Sequence, residues 1–486
     1  MKKQTNYPDW VLQHKRPGTE IRMISGKYYL YQISSEWDSG LKRARKKTGA
    51  YLGRITPQGF KPKKADPSPS DDSLISVRHF GAAHYFEQRS GKILSELEKI
   101  FPQWGQTLFV GAIMRLLHQS PLKRMRFHYQ NSYASLLWQD AHMSDKTISE
   151  CLRQTGQMRS AIVDFFARFH QGSRFVLIDG THIHSRSALN GLSRPGYNSK
   201  KDFRPQVNAL FIFSQDEKAP LYYRLIGGDI REVSSMKTAV EESQLKNVVI
   251  VSDKGFYSEK NVEALLQEKL HFAIPLKRNA ALIDYEKIQQ GNKQAFDGHF
   301  FYHKRPIWFV KHRIRMSGRY CYVYTFLDER LYQEEQRDYL ERVAQERKNY
   351  SMEKFYEHQH KFGTLSLLAF LPRSTSPQQA FEYFKTRNEV EQMIDVFKNS
   401  LHADRSYMRT EQQMEGWMFI NHLSLMLYYQ LFKELVNLNL LSKYSPVEVL
   451  QYLDRIYKVK ANGQWRTAEI PKRSRIIANK LDLPIP

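Results

Sequence analysis

Two short runs constrain the fold more than any other feature. RFVLID (174–179) and NVVIVSD (247–253) carry unbroken apolar stretches, FVLI and VVIV, and stop on an acid. A strand with one solvated face alternates in hydropathy, whereas a strand covered on both faces does not. Runs of this kind, with QVNALFIF (206–213) and PLYYRLIG (220–227) between them, predict an α/β sheet buried on both sides. Strand carboxyl ends in such sheets are where ligand sites gather, which directs attention to Asp179 and Asp253. Taken singly, each reads more readily as a turn residue closing a strand than as a site residue.

The third acid lies on a helix with a well-marked start. Ser376 is an N-cap, Pro377 fits the first helical position and Gln379 completes a capping box. With about 100° per residue counted from Phe384, Arg387, Glu391 and Lys398 fall near 300°, 340° and 320°. The apolar Met393, Phe397, Val390 and Ile394 run from about 180° to 280° on the same wheel. The charged stripe thus borders the buried face, where Glu391 can approach other acids. A solvated Arg/Glu/Lys ladder along the helix is the competing reading.

Three converging carboxylates repel unless a cation neutralises them. All-oxygen donors select Mg²⁺ or Mn²⁺, and two such ions can drive an in-line phosphoryl displacement. The chain's charge points the same way. Its 486 residues carry a net +24, with 74 Lys/Arg against 50 Asp/Glu, which favours a polyanionic partner. A nucleic-acid phosphodiester is the expected substrate, with Arg387 and Lys398 on its phosphate oxygens.

The rest of the chain divides by texture. Residues 1–64 hold 15 Lys/Arg against 4 Asp/Glu and read as a basic β-rich DNA-binding segment. Lys42, Arg43, Arg45, Lys46 and Lys47 are expected on a hairpin loop facing phosphates, or else as a solvated charge run. Residues 65–76 read as a linker. Residues 77–170 are helical in period, with Ser144 as an N-cap for 145–156. This region is expected to bind DNA ends, whether as a helix-turn-helix or as a plain bundle. Residues 171–269 and 376–440 would form the two parts of the core. Between them, 270–375 is aromatic and alternating (HFFYHKRPIWFVKHRI, RYCYVYTFLD) and reads as a β-rich insertion rather than a continuation of the sheet. Residues 441–486 read as a C-terminal helical tail.

Other features are more ambiguous. His182 and His184 could form a metal pair, though one inward and one outward histidine is the expectation. The loop 194–206 supplies Lys200, Lys201 and Arg204 as backbone contacts, or is a solvated hairpin loop. With only Cys151 and Cys321, neither a disulfide framework nor a thiolate zinc site fits, and a reducing, cytoplasmic compartment is expected. The N-terminus has no apolar signal-peptide segment. The apolar stretch Gly416 to Phe432 is broken by Asn421, His422, Ser424 and Gln430 and reads as a core helix, not a membrane span.

IDGT at Asp179, VSDKGFYS at Asp253 and the Arg-x3-Glu-x6-Lys helix together resemble the DDE transposases of bacterial insertion sequences. Within them the chain resembles the subgroup with a Tyr-Arg-Glu-Lys signature and a β-strand insertion before the catalytic Glu. The resemblance covers about residues 172–435. It implies an RNase H-like core, two divalent ions (Mg²⁺ or Mn²⁺) on Asp179, Asp253 and Glu391, and Arg387, Lys398 and Lys254 against DNA. It further implies cut-and-paste transposition from terminal inverted repeats into target DNA by a homodimer. The signature's Tyr position falls on Phe384, with Tyr383 beside it, so ring packing replaces a phenol contact. Members often cut through a DNA hairpin with a base flipped onto an aromatic ring, for which Trp308 is the candidate; core packing of the insertion is its other reading. A catalytically silent DNA-binding derivative and a nuclease without strand transfer are the alternative functions.

Overall fold

The computed structural model describes residues 7–38, 43–63, 75–169, 175–196, 203–229, 233–245, 249–252, 257–461 and 463–486. The chain forms two compact units, one of residues 1–76 with 460–464, the other of 77–459 with 465–486.

The first unit is an antiparallel meander of β1 (Thr19–Ile24), β2 (Lys27–Asp38), β3 (Arg43–Thr56) and β4 (Gly59–Pro62). Val11, Ile21, Leu30 and Ile55 form its small core. Here the sequence expectation is corrected. Arg43, Arg45, Lys46 and Lys47 belong to β3, in register with β2, and not to a loop. The alternation of TGAYLGRIT extends back through the basic run because strand pairing satisfies its backbone. Lys46 pairs with Glu20 at 2.7 Å and Lys47 with Glu36 at 2.9 Å. Lys42 lies outside the described residues, as does most of the segment read as a linker.

The second unit opens with helices, among them α1 (Gly81–Arg89), α2 (Gly91–Ile100), α3 (Gly105–His118), α4 (Asp145–Gln157) and α5 (Arg159–Ala167). The Ser144 hydroxyl accepts the Thr147 N–H and caps α4.

The sheet follows. Its strands are β5 (Phe175–Ser185), β6 (Pro205–Ser214) and β7 (Ala219–Gly227), then, after helix α6 (Val233–Glu242), β8 (Val249–Val251). Helix α7 (Glu259–Gln267) leads to β9 (His271–Pro275). Val176, Leu177, Ile178 and Val249, Ile250, Val251 are all buried, as two-sided strands require. β5 and β9 run parallel to β8, while β6 and β7 continue antiparallel from β5.

The insertion supplies β10 (Gly298–Tyr302), β11 (Arg305–Met316), β12 (Arg319–Asp328), the charged helix α8 (Glu329–Ala344) and β13 (Thr364–Phe370). These strands were not expected to continue the sheet, but they do. β13 pairs with β9, and β12, β11 and β10 follow outward in one 11-stranded sheet. Alternation marks a strand but not the partner it chooses. The free edge of β9 is covered in this way, which removes an unpaired row of backbone groups.

Helices α9 (Pro377–Lys385) and α10 (Asn388–Asp395) precede a single π turn, Val396–Ser400. Then comes α11 (Glu411–Asn437), whose middle, from Gly416 to Leu425, is buried throughout. No helix among the described residues is long and apolar enough to cross a membrane. Gly156 on α4 and Gly416 on α11 let the two backbones touch, since a Cβ at either would overlap the other helix's main chain. Helices α1 to α5 therefore share one apolar core with the sheet. The last segment is not purely helical as expected. α12 (Pro446–Leu453) and α13 (Lys472–Lys480) are separated by strands at Tyr457–Ala461 and Gln464–Thr467, where aromatic and β-branched residues alternate with charges.

Candidate active site

Asp179 sits midway along β5, past the last residue of β8 that pairs with it. Val251 is opposite Leu177, and Asp179 follows two residues later on β5. Asp253 and Lys254 themselves lie outside the described residues. The Asp179 side chain is about a quarter exposed, and its Oδ1 accepts the Gly180 N–H at 2.8 Å.

The Ser376/Gln379 capping box is formed in both directions and starts α9 where the sequence places it. The helix then breaks. The Thr386 hydroxyl donates to the Glu382 and Tyr383 carbonyls, side-chain competition that bends helices. Two three-residue closures follow, Glu389 N–H to Thr386 O and Val390 N–H to Arg387 O. Arg387 is consequently the N-cap of a second helix, α10, and Glu391 stands in its first turn.

This junction brings the predicted residues together. Arg387 Nη2 lies 2.6 Å from Glu391 Oε1 and 3.8 Å from Asp179 Oδ2. One guanidinium nitrogen thus serves a carboxylate from the central strand and one from the helix, which lie far apart in sequence. Lys398 falls in the π turn, half-buried. Phe384 is half-buried against the core, and Tyr383 is buried within it; burial pushes the Tyr383 phenol up to about 12.

The remaining predicted contacts are more scattered. Arg204 is exposed just before β6; Lys200 and Lys201 lie outside the described residues. Trp308, on β11, is half-buried and packed against His299 at 4.9 Å and Phe296 at 6.0 Å, with Lys293 Nζ 5.2 Å from its ring centroid. His182 and His184 do not point to opposite sides. Their rings meet at 5.1 Å, as positions two apart on a strand must share a face.

The sequence reading missed the groups that hold the helix in place. Arg115, only 4% exposed on α3, donates to Asn421 Oδ1 at 3.0 and 3.1 Å and to the Ser120 carbonyl at 2.9 Å. It also donates to the carbonyl of Leu401, just after the π turn. Burial among neutral acceptors lowers its guanidinium to about 10. Lys218, in the β6–β7 turn, pairs with Glu389 at the other end. Arg159 joins Glu415 and Glu242 with Tyr222 and the Tyr223 carbonyl, locking α5 to β7, α6 and α11. An arginine inside the apolar GAIMRLLHQ and an asparagine inside α11 were the available signals, because polar groups in a dry core must find partners.

Among the described residues no three His, Cys, Asp or Glu side chains form a group that could hold a metal ion. Asp179 and Glu391 nevertheless supply the hard oxygen donors that Mg²⁺ or Mn²⁺ prefers.

A family model described as the transposase DDE domain matches residues 170–427. Among solved structures, the chain is similar to the piggyBac transposase synaptic complex with hairpin DNA, at 12% identity and a TM-score of 0.40. That match covers 79% of this chain and 82% of the other. No curated protein matches the chain.

Proposed function

The chain belongs to the transposase DDE domain family, and from that premise we propose that it is a DNA transposase of the insertion-sequence type. It would bind the terminal inverted repeats of its element, cleave there, and join the 3′-hydroxyls to target DNA. The observation that carries this reading is the convergence of Asp179 and Glu391 on Arg387. Asp253 is the proposed third acid, on an RNase H-like core, and the spacing of Arg387, Glu391 and Lys398 supports reading the chain as one of the Tyr-Arg-Glu-Lys subgroup with Phe384 in the Tyr position.

Asp179, Asp253 and Glu391 would hold two divalent ions. When bound, such ions supply Lewis acidity to the attacking and leaving oxygens of a phosphodiester. The chain's own residues do the rest. Arg387 keeps the two acids compatible until substrate arrives, then turns its guanidinium to the phosphate oxygens. Lys398, with Arg204, Lys200 and Lys201, would hold the DNA backbone. Trp308 takes a flipped base only if it leaves its aromatic packing. A homodimer gives one active site to each element end.

The test is nicking of DNA carrying the element's ends in Mg²⁺. Asp179→Asn, Asp253→Asn and Glu391→Gln are each expected to abolish nicking and joining while leaving DNA binding within about twofold. Cleavage that persists in those variants would reject the assigned acids. A labelled 3′-end that is never joined to target would leave a nuclease.

A further inference from the structure

We propose that the cleft between α12 and α13 is a second, sequence-independent docking site for the phosphate backbone of duplex DNA, separate from the acids. The inference rests on the reading that this protein acts on DNA. The cleft encloses about 610 Å³ and is lined by Glu448, Gln451, Tyr452, Arg455, Lys472 and Arg473. Arg455, Lys472 and Arg473 are exposed, and no ion pair engages any of the three among the described residues. Arg473 instead donates to the Tyr452 hydroxyl at 3.0 Å, a neutral partner that fixes its guanidinium at the cleft's edge.

The wall behind them is fixed. The Ser474 hydroxyl is buried and donates to the Tyr452 carbonyl at 2.7 Å, and Ile477 and Ala478 pack α13 into the core. Three cations thus line a cleft whose α13 wall is packed into the core, with one carboxylate, Glu448, among them. The same bias extends beyond the cleft. Residues 455–459 and 465–486 hold seven Lys/Arg against two Asp/Glu. Cations gathered with a single carboxylate among them still repel each other, an arrangement a folded surface tolerates where a polyanion will cover it. A span of 610 Å³ exceeds what one phosphate fills, and a run of phosphates along a duplex answers three neighbouring cations.

The measurement is the salt dependence of DNA binding by the full-length protein, using one duplex with the element's end and one unrelated duplex of equal length. Each phosphate neutralised contributes about 0.9 to the slope of log affinity against log salt. Arg455→Gln/Lys472→Gln/Arg473→Gln should therefore lower the slope by about 2.7 on both duplexes, a difference of about 40-fold between 50 and 200 mM salt. Arg455→Lys/Arg473→Lys, which keeps the charge, should retain the slope. Arg347→Gln/Lys348→Gln/Lys354→Gln removes equal charge from the exposed end of the insertion and should leave it nearly unchanged.

An unchanged slope in the cleft variant, or an equal fall in the insertion variant, would overturn the docking site. A fall confined to the element's end would overturn its sequence independence. Wild-type protein that binds neither duplex at low salt would instead sink the transposase reading. Equal thermal melting of all variants excludes misfolding as the cause.

Discussion

Arg387 has two roles at one atom. Its Nη2 faces both Asp179 and Glu391, so anything cationic that binds those acids must compete with it. An ion pair of this partly exposed kind is worth about 1 kcal/mol. Arg387→Gln is expected to tighten Mn²⁺ binding to the DNA-free protein about fivefold by titration calorimetry, while cleavage falls because the phosphate loses its partner. Weaker metal binding in the variant would show that the guanidinium organises the carboxylates instead of competing for them. At this scale the sequence was informative where chemistry repeats locally. The capping box at Ser376 and Gln379 needed only neighbouring residues, and so did the Ser144 cap. Arg115 stands out as a charge in an apolar run, but the sequence does not identify its partners, nor that of Lys218, because Leu401, Asn421 and Glu389 lie far along the chain.

A single uniform helix from Pro377 to Leu401 was the sequence expectation, and the element departs from it twice. Thr386 ends the first segment, and a π turn widens the last one. A wheel drawn at constant pitch can place Glu391 beside the core, but it cannot register a lost or gained residue per turn. Arg387 and Glu391, both just past the break, still meet, while Lys398 falls in the π turn beyond α10. The strands behave likewise. Apolar runs marked the existence of β5 and β8, although β5 continues past Asp179 to Ser185 instead of ending there, and the insertion's strands joined the same sheet because partner choice depends on which edge is left open. Close packing makes another element-scale prediction. Gly156→Ala and Gly416→Ala each push a methyl into the facing main chain at the α4–α11 crossing and should each cost about 3 kcal/mol in urea unfolding. A loss below about 0.5 kcal/mol would mean the helices separate freely.

For the whole molecule, the buried histidines set an acid limit. His118 stacks on His128 at 4.1 Å, and burial holds its imidazole down at about 4. In the unfolded chain the same group titrates near 6.5. Between about pH 6.5 and 4 the unfolded state therefore takes up a proton that the folded state refuses, and stability falls with falling pH by up to about 3 kcal/mol. Above pH 6.5 this contribution is flat. His79 works in the opposite sense. Its hydrogen bond to Asp454, Nδ1 to Oδ2 at 3.1 Å, raises its proton affinity, so its contribution is full below about pH 6.5 and is lost as pH climbs through the raised value. Urea melts at pH 7 and 4.5 should show His118→Gln losing less stability on acidification than the wild type. An identical loss would place the acid-sensitive group elsewhere.

The buried guanidinium of Arg115 carries a lesson about modularity. The stretch matched by the family runs from residue 170 to 427, yet Arg115 lies before it, and α11 runs on to Asn437. An excised cassette with those limits would sever a helix in mid-course and strand the Leu401 carbonyl and the Asn421 amide in a dry interior. What is inherited as a recognisable block of text is, in this protein, not a separable piece of matter.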